Sequence, residues 1–276
     1  MGSCCKAADP GTLQFGRIAL TLATITAIGL AGCKPDRAVR SGALIGKGTK
    51  PVEAAQPLVP EVKTGSVSGV IHFKGKPPEG LKINMSQDLV CSITGGTNLA
   101  EQYVVHNGGL ANVYVYVKDG PPEAMDAEAP ANQQPVVLDQ VGCKYVPHAI
   151  AVMKGGTVEF RNSDGTMHHI HTMSSSNAVV DILQGAKGAP EQKRFDASEV
   201  MMPVLSNSHP WMNAFINVSA TQFFAISDSD GRFDISGLPA GAYTLAAVHE
   251  RLGEQTMKLT VAPKSQAAAE FTYSAK

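Results

Sequence analysis

Histidines and methionines are concentrated in two short stretches of this sequence, and both side-chain types can bind a transition metal. Three histidines, His168, His169 and His171, fall within four residues, and a second stretch contains His209 and Met212. Together the stretches hold four of the chain's eight histidines. Imidazole with thioether suits Cu(I), whereas additional imidazole or water ligands would suit Cu(II). The residue types therefore predict a copper-binding position if the two stretches meet in the fold.

The elements that must position these side chains are β-strands. From Gly65 onward, short runs rich in valine, isoleucine, phenylalanine, tyrosine and threonine are separated by glycine, proline, asparagine and aspartate, a pattern typical of strands and turns. No helical period is sustained over three turns, although residues 178–185 and 197–202 could each form a short helical piece. The sequence therefore predicts an all-β fold. The clearest predicted strands are residues 67–73, 113–117, 157–162, 215–218, 223–227, 232–235 and 243–248.

The first histidine stretch resembles part of a cupredoxin. Residues 155–162 read GGTVEFRN and are similar to the strand "G-x-V-x-F-x-N" of plastocyanin-like and amicyanin-like members, which leads into the first histidine ligand of copper. The resemblance implies that His168 is that ligand. His169 falls where the family usually has an asparagine beside the ligands, and His171 lies on the same strand face as His169. Either histidine could supplement the site.

The second stretch resembles the other half of a cupredoxin site. Residues 206–212 read SNSHPWM, and the family pattern is Cys-x-x-His-Pro-x-Met. The resemblance implies that His209 is the second histidine ligand and Met212 the weak axial thioether. Ser206 occupies the position of the copper-binding cysteine, and its hydroxyl, neither soft nor ionised at neutral pH, would be at most a weak oxygen ligand. We therefore expect copper binding by His168, His209 and Met212, but not a blue-copper electron carrier.

The flanking segments resemble a carboxypeptidase regulatory-like, or transthyretin-like, β-sandwich. Residues 65–78 are similar to its opening strand and turn, and residues 230–245, which read DGRFDISGLPAGAYTL, to its closing signature, with glycines where tight turns need a positive φ. Because these segments lie about 150 residues apart, the sequence predicts a cupredoxin-like Greek-key sandwich, residues 129–218, inserted in or fused to this sandwich. The regulatory-like part would comprise residues 65–128 and 219–274.

The amino terminus has the features of an export signal. Two basic residues precede an apolar run over residues 18–30 that is too short to span a bilayer as a finished helix, so residues 1–32 are predicted to be a signal peptide. The sequence Leu-Ala-Gly-Cys ending at Cys33 resembles the lipobox of bacterial lipoproteins, which implies a lipid anchor on Cys33 at the periplasmic face of an outer membrane. An ordinary secretory peptide or a single anchor helix is the alternative. Residues 33–64, with four prolines and no apolar periodicity, would be a flexible tether.

Two cysteines, Cys91 and Cys143, remain in the predicted folded part. One disulfide between them is the natural expectation, because an exported protein meets an oxidising compartment. The alternative is a metal thiolate at Cys143, together with His148 five residues later.

Charge and motifs bear on the class of partner. The formal net charge of −1 becomes about −2 when two cationic residues and one anionic residue leave with the signal peptide, so neither nucleic acid nor an anionic membrane surface is favoured. The sequence lacks a Gly-x-Ser-x-Gly elbow, a His-Glu-x-x-His pair, a P-loop and a dinucleotide fingerprint, so we do not expect an enzyme. The expected partners are the membrane, through lipidated Cys33, and a redox or envelope protein.

Three hypotheses of function follow. The first is an exported, lipid-anchored copper-binding protein. The second is a metal-free scaffold module that binds carbohydrate or protein, in which an ancestral copper site has become an empty loop and Trp211 and Met212 pack at a core edge. The third is an accessory subunit of an exported redox complex with electron transfer activity. The other candidate residues are expected to be structural, as strand-end contacts, surface or core histidines and apolar filling: His249, Glu250, His72, His106, His148, Met201 and Met202.

Overall fold

The computed structural model describes residues 63–96, 98–127, 130 and 132–275. The predicted signal peptide, Cys33 and almost all of the predicted tether lie outside the described residues. Within those residues, no helix is long and apolar enough to cross a bilayer. Strands dominate and only two short helices are present among them, so the predicted all-β fold class is confirmed.

The helices are α1 (Leu89–Thr94) and α2 (Pro122–Met125). The strands are, in chain order, β1 (Thr64–Lys74), β2 (Val105–His106), β3 (Gly109–Leu110), β4 (Tyr114–Asp119), β5 (Val136–Val141), β6 (Lys144–Val146), β7 (Ala149–Met153), β8 (Thr157–Asn162), β9 (His168–Thr172), β10 (Asp181–Gln184), β11 (Glu191–Arg194), β12 (Glu199–Ser206), β13 (Asn213–Ser219), β14 (Phe224–Ile226), β15 (Arg232–Pro239), β16 (Gly241–His249), β17 (Gly253–Val261) and β18 (Gln266–Ser274).

The first core lies between two sheets, whose strands come from residues 64–119 and 224–274. One sheet has the order β15-β1-β3-β2, with β18 also paired in parallel to β1, and the other has the order β14-β4-β16-β17. Because successive strand residues point to opposite faces, each sheet can turn one apolar face inward. The buried cluster includes Ile71, Leu110, Val115, Phe233 and Leu245.

A tight turn at Gly231 connects β14 to β15. Its φ is +76°, and a Cβ atom on this residue would lie 2.4 Å from the carbonyl oxygen of Ile71, so only glycine fits without displacing the backbone. Asp228 Oδ1 accepts hydrogen bonds from the amides of Asp230 and Arg232, at 2.9 and 2.8 Å. The Asp-Gly pair of the closing signature therefore forms the turn for which its residue types are suited.

The second core lies between two sheets whose strands all fall between residues 136 and 219. One sheet has the order β10-β9-β12-β13-β7, and the other has the order β11-β8-β5-β6. Apolar side chains from both sheets fill the space between them, including Leu138, Phe160, Ile170, Val204 and Ile216.

The segment 75–104, between β1 and β2, reaches the second core. Met85 and Cys91 are buried in the second core. The sequence pattern instead predicts that residues 65–128 belong to the first, regulatory-like sandwich, whose two sheets enclose the first core. Helix α1 begins where it does because the Asp88 side chain accepts a hydrogen bond from the amide of Cys91 at 3.0 Å and so caps the first turn. The first sandwich therefore contributes a short helix to the second.

The two predicted helical pieces are strands, so that prediction was wrong. Residues 178–185 contain β10, and residues 197–202 contain the start of β12. Val180, Ile182 and Gln184 are buried alternately with exposed neighbours, which is the period of a strand rather than of a helix.

Candidate metal centre

Two adjacent strands deliver the two histidines to one place. His168 opens β9, whose residues alternate in burial, and its side chain is completely buried. In the pairing of β12 with β9, Ser206 lies opposite Ile170. In the loop that follows, the His209 amide donates to Ser206 Oγ at 3.1 Å, and the Met212 amide donates to the His209 carbonyl at 2.9 Å. These hydrogen bonds define the turn that carries His209.

The imidazoles of His168 and His209 are in direct contact. Their Nδ1 atoms lie 2.9 Å apart, and the ring centroids are separated by 4.8 Å with the planes at 68°. His209 is only 4% exposed, so the pair is shielded from bulk water. The two histidine stretches of the sequence therefore meet at a single buried point.

Each imidazole is held at its other nitrogen by a carboxylate. Nε2 of His168 lies 2.9 Å from Oδ2 of Asp164, and Nε2 of His209 lies 3.1 Å from Oδ2 of Asp88. Asp164 comes from the loop between β8 and β9, whereas Asp88 comes from the segment between β1 and β2. The histidine pair is thus supported on both sides, by residues from distant parts of the chain.

Additional donors keep both carboxylates ionised. Asp164 accepts from two backbone amides, including that of Cys143 at 2.8 Å, while Asp88 accepts from the amide of Cys91 at 3.0 Å and the hydroxyl of Thr166 at 2.9 Å. Burial by itself raises the pKa of each carboxyl group, but these hydrogen bonds and those from the two histidines outweigh it. The pKa of Asp88 is lowered to about 2, and the pKa of Asp164 is also lowered.

The hydrogen-bond partners assign the tautomers of the two rings. A carboxylate acceptor at Nε2 places the ring proton there and leaves a lone pair on Nδ1 of a neutral imidazole. The two lone pairs of His168 and His209 would repel across 2.9 Å unless a proton or a metal ion lies between them. Two nitrogens each about 2.05 Å from an ion, at roughly a right angle, are about 2.9 Å apart. The donor set and its carboxylate support therefore fit a metal ion.

Comparisons with known sequences do not assign a family. No protein-family model matches the chain. NAC transcription factor NAM-1 of Hordeum vulgare subsp. vulgare and NAC transcription factor NAM-B1 of Hordeum vulgare subsp. spontaneum are each 26% identical to it over 168 residues, which is 55% of this chain and 41% of theirs. The chain thus spans less than half the length of these curated relatives.

Among solved structures, the chain is similar to several copper proteins. A copper-containing nitrite reductase from Thermus scotoductus SA-01 is 21% identical, with 33% of this chain and 24% of that chain covered and a TM-score of 0.28. A reduced Cu(I) form of an amicyanin mutant is 17% identical over 39% of this chain and 99% of its own, also with a TM-score of 0.28. A purple cupredoxin from Nitrosopumilus maritimus is 20% identical over 30% of this chain and 99% of its own, with a TM-score of 0.26. These TM-scores are too low to support an assignment, so the copper hypothesis depends on the motifs and the geometry.

Two other residues of the second motif, Ser206 and Met212, are buried. The Ser206 hydroxyl oxygen accepts the hydrogen bond from the His209 amide, so it stabilises the ligand turn. Met212 is 1% exposed and packs in the second core next to Trp211. The Trp211 indole donates to the carbonyl of Cys143 at 3.1 Å, which attaches this turn to the opposite sheet.

His169 and His171 do not join the site, which corrects the expectation that either could supplement it. Successive side chains of a strand point to opposite faces, so both turn away from the face of β9 that carries His168. The Nε2 atom of His169 is hydrogen-bonded to the carboxylate of Asp181 on the neighbouring strand β10.

Cys91 and Cys143 are joined by a disulfide, which links α1 to the turn between β5 and β6. The alternative of a metal thiolate at Cys143 with His148 does not match this arrangement, because Nε2 of His148 lies 2.7 Å from the carboxylate of Glu250. The disulfide lies next to the histidine pair, with Cys91 Sγ 3.7 Å from Nε2 of His209.

Sequence reasoning missed the two carboxylates that hold the histidines. Asp164 lies only four residues before His168, so an acidic residue just upstream of the first histidine was a usable local signal. Asp88 is 121 residues away from His209 in the chain, and no local pattern connects the two.

Proposed function

We propose that this chain binds a copper ion between His168 and His209. The proposal rests on one observation, the two Nδ1 atoms 2.9 Å apart on rings whose Nε2 atoms are each bonded to a carboxylate. An ion between the rings accepts both lone pairs at once. Among first-row divalent ions, copper has the highest affinity for such nitrogen ligands, and the motif resemblance adds the thioether of Met212 as a third ligand.

The proposed role is to hold or sense copper rather than to transfer electrons or catalyse a reaction. Ser206 supplies no thiolate, and in blue-copper sites the thiolate gives both the colour and much of the tuning of the redox potential. The site is also enclosed, because His168 is completely buried and Asp88 covers the Nε2 edge of His209.

We place this activity in the cell envelope, on a protein anchored through lipidated Cys33 at the periplasmic face of an outer membrane. The lipobox resemblance and the proline-containing tether support this location. The disulfide also supports it, because such bridges persist in oxidising compartments. A redox or envelope protein is the proposed partner.

A metal-free scaffold is the second candidate, and the same contact favours it. A distance of 2.9 Å between Nδ1 atoms is also that of an ordinary N–H···N hydrogen bond, in which the two rings share one added proton. The ionised carboxylates of Asp88 and Asp164 would balance the resulting positive charge. In that case the pair stabilises the second sandwich and binds no ion.

Copper titration of the purified, metal-free protein distinguishes the two candidates. We expect one copper ion per chain, measured by competition with a chromophoric chelator for both Cu(I) and Cu(II). His168→Ala and His209→Ala should each weaken binding by about 100-fold or more, since each removes one of the two nitrogen ligands. The matched control is His72→Ala, which changes a partly exposed histidine of β1. Unchanged affinity in the His168→Ala, His209→Ala double variant would refute copper binding here and leave the scaffold.

A further inference from the structure

The disulfide of the second sandwich touches the histidine pair from the Nε2 side. The sulfur of Cys91 is 3.7 Å from Nε2 of His209, and a carboxylate oxygen of Asp88 is 3.1 Å from the same nitrogen. Cys143, bonded to Cys91, adds a second sulfur, which lies within 4.8 Å of ligand atoms of Asp164 and His168. Both cysteines are completely buried.

Together, Cys91, Cys143, His209 and Asp88 have the composition of a closed zinc site. Structural zinc takes four ligands from thiolate, imidazole and carboxylate groups, with Zn–S near 2.3 Å and Zn–N near 2.05 Å. At a tetrahedral angle these bonds place sulfur and nitrogen about 3.6 Å apart. The measured Cys91–His209 separation of 3.7 Å agrees with that value. The ligand atoms of Asp88, Cys91 and His209 all lie within 4.8 Å of one another.

While Cys91 and Cys143 are bonded to each other, their sulfurs cannot bind a metal ion as thiolates. A thiolate, not a disulfide sulfur, is the metal ligand. An external dithiol can supply two electrons and two protons: the S–S bond breaks, two thiols form, and the dithiol becomes a disulfide. Each thiol then gives its proton to water as its sulfur binds the ion.

We propose that the disulfide masks a second metal site, in which Cys91, Cys143, His209 and Asp88 bind Zn(II) once a dithiol has reduced the bridge. The site does not depend on copper binding. It does use His209 through the other ring nitrogen, because zinc at Nε2 moves the ring proton to Nδ1. That Nδ1–H then points at Nδ1 of His168, 2.9 Å away, and donates to it. Zinc at Nε2 of His209 would therefore exclude a copper ion from the position between the two Nδ1 atoms.

The helix that carries Cys91 provides the route by which a reductant enters. α1 has six residues, and its Leu89 and Ile93 side chains are each 75% exposed, so the helix packs through one face only. Short elements with few buried contacts open locally at low cost in free energy. Opening of α1 exposes the disulfide while the two sandwiches stay folded.

Cobalt and zinc titrations test the proposal, because neither ion oxidises thiols. The metal-free protein is reduced with a phosphine, freed of reductant without air, and titrated with Co(II). We expect one Co(II) per chain, with thiolate-to-metal absorption in the near ultraviolet and tetrahedral bands in the visible, all removed by one equivalent of Zn(II). The disulfide form should show none of these bands and should bind Zn(II) at least 100-fold more weakly.

Variants separate this proposal from the copper proposal. His168→Ala should weaken copper binding by the oxidised protein by about 100-fold or more but leave the cobalt spectrum of the reduced protein, because His168 is not a ligand of the second site. Cys143→Ser frees the Cys91 thiol without a reductant and should bind Co(II) more weakly, still with thiolate absorption. The proposal is overturned if reduced, folded protein shows no thiolate absorption, if Cys143→Ser shows none, or if reduction unfolds the second sandwich, as seen by loss of near-ultraviolet circular dichroism.

Discussion

The imidazole of His148 lies 2.7 Å from the carboxylate of Glu250, and this contact joins the two sandwiches. His148 comes directly before β7 of the second sandwich, whereas Glu250 follows β16 of the first. Their side chains are only 5% and 8% exposed. Next to Glu250, the ring of His249 stacks on Tyr103 with centroids 5.8 Å apart. The His-Glu pair at the end of the closing signature is therefore an internal structural contact.

Glu250→Gln should lower the free energy of unfolding by up to roughly 1.5–3 kcal/mol, because a buried hydrogen bond to a charged carboxylate is replaced by one to a neutral amide. Chemical denaturation at pH 7 measures this, with Glu191→Gln as the control at a surface ion pair, where we expect less than about 1 kcal/mol. Combining Glu250→Gln with His148→Gln should cost less than the sum of the two single changes, by roughly 0.5–3 kcal/mol. Additive effects would show that the two side chains are not energetically coupled.

Asp88→Asn should weaken copper binding by roughly 10- to 100-fold, as is usual when the carboxylate behind a metal-bound histidine is changed. Asparagine also caps helices well, so α1 should remain in place. Asp181→Asn is the matched control, because Asp181 bonds His169 on the outer face of the sheet. Chelator competition gives both affinities. An equal effect of the two substitutions would indicate a general loss of negative charge instead of support for His209.

Ser206→Cys should give the protein an intense visible absorption when Cu(II) is added. The new thiolate would lie at the start of the turn that carries His209 and could bind the copper ion directly. The control is Ser208→Cys, two residues further along, where the side chain is exposed. Absorption spectra of both variants, with mass spectrometry to check that Cys91 and Cys143 remain paired, make the comparison. A colourless Ser206→Cys variant that still binds copper would mean that this side chain does not face the ion.

The stability of the protein should fall between pH 6.5 and pH 4 because of His249. Burial, only partly offset by nearby Glu250, lowers the pKa of its imidazole from 6.5 to about 4. The unfolded chain therefore takes up a proton at this residue below about pH 6.5, while the folded chain takes it up only near pH 4. The stabilisation is complete above pH 6.5 and is lost progressively as the pH falls through that window.

His249→Phe tests this by keeping an aromatic ring against Tyr103 and removing the titration. The difference in unfolding free energy between pH 7 and pH 4.5 should be smaller in the variant than in the unchanged protein. His72→Phe, a substitution of a partly exposed histidine, should keep the original pH dependence. Identical pH dependence in all three proteins would exclude His249 as the cause.

Much of the strand framework could be predicted because its signals are local. Residues 157–162 were predicted as a strand and form β8 with the same bounds, since the alternation of Val158, Phe160 and Asn162 toward the core is visible in the sequence. The convergence of His168 and His209 could be expected from two motifs, each only a few residues long. The prediction of helical pieces at residues 178–185 and 197–202 was wrong because exposure alternates there from one residue to the next, which is the period of a strand.

The rest depends on contacts between distant parts of the chain. The sequence around Asp88 shows no histidine, and the sequence around His209 shows no carboxylate, yet the two side chains meet across 121 residues. His148 and Glu250 are similarly 102 residues apart. Such pairs arise from the packing of one sandwich on the other, which hydrophobic periodicity does not encode.

The position of α1 has a consequence for how these two sandwiches could be inherited. A gene segment encoding only residues 129–218 would lack Asp88, which bonds His209, and Cys91, which is disulfide-bonded to Cys143. Residues 129–218 therefore do not contain every side chain that supports the histidine pair, because Asp88 and Cys91 lie earlier in the chain, between β1 and β2. Recombination that moved the histidine pair to another protein would have to carry Asp88 and Cys91 with it.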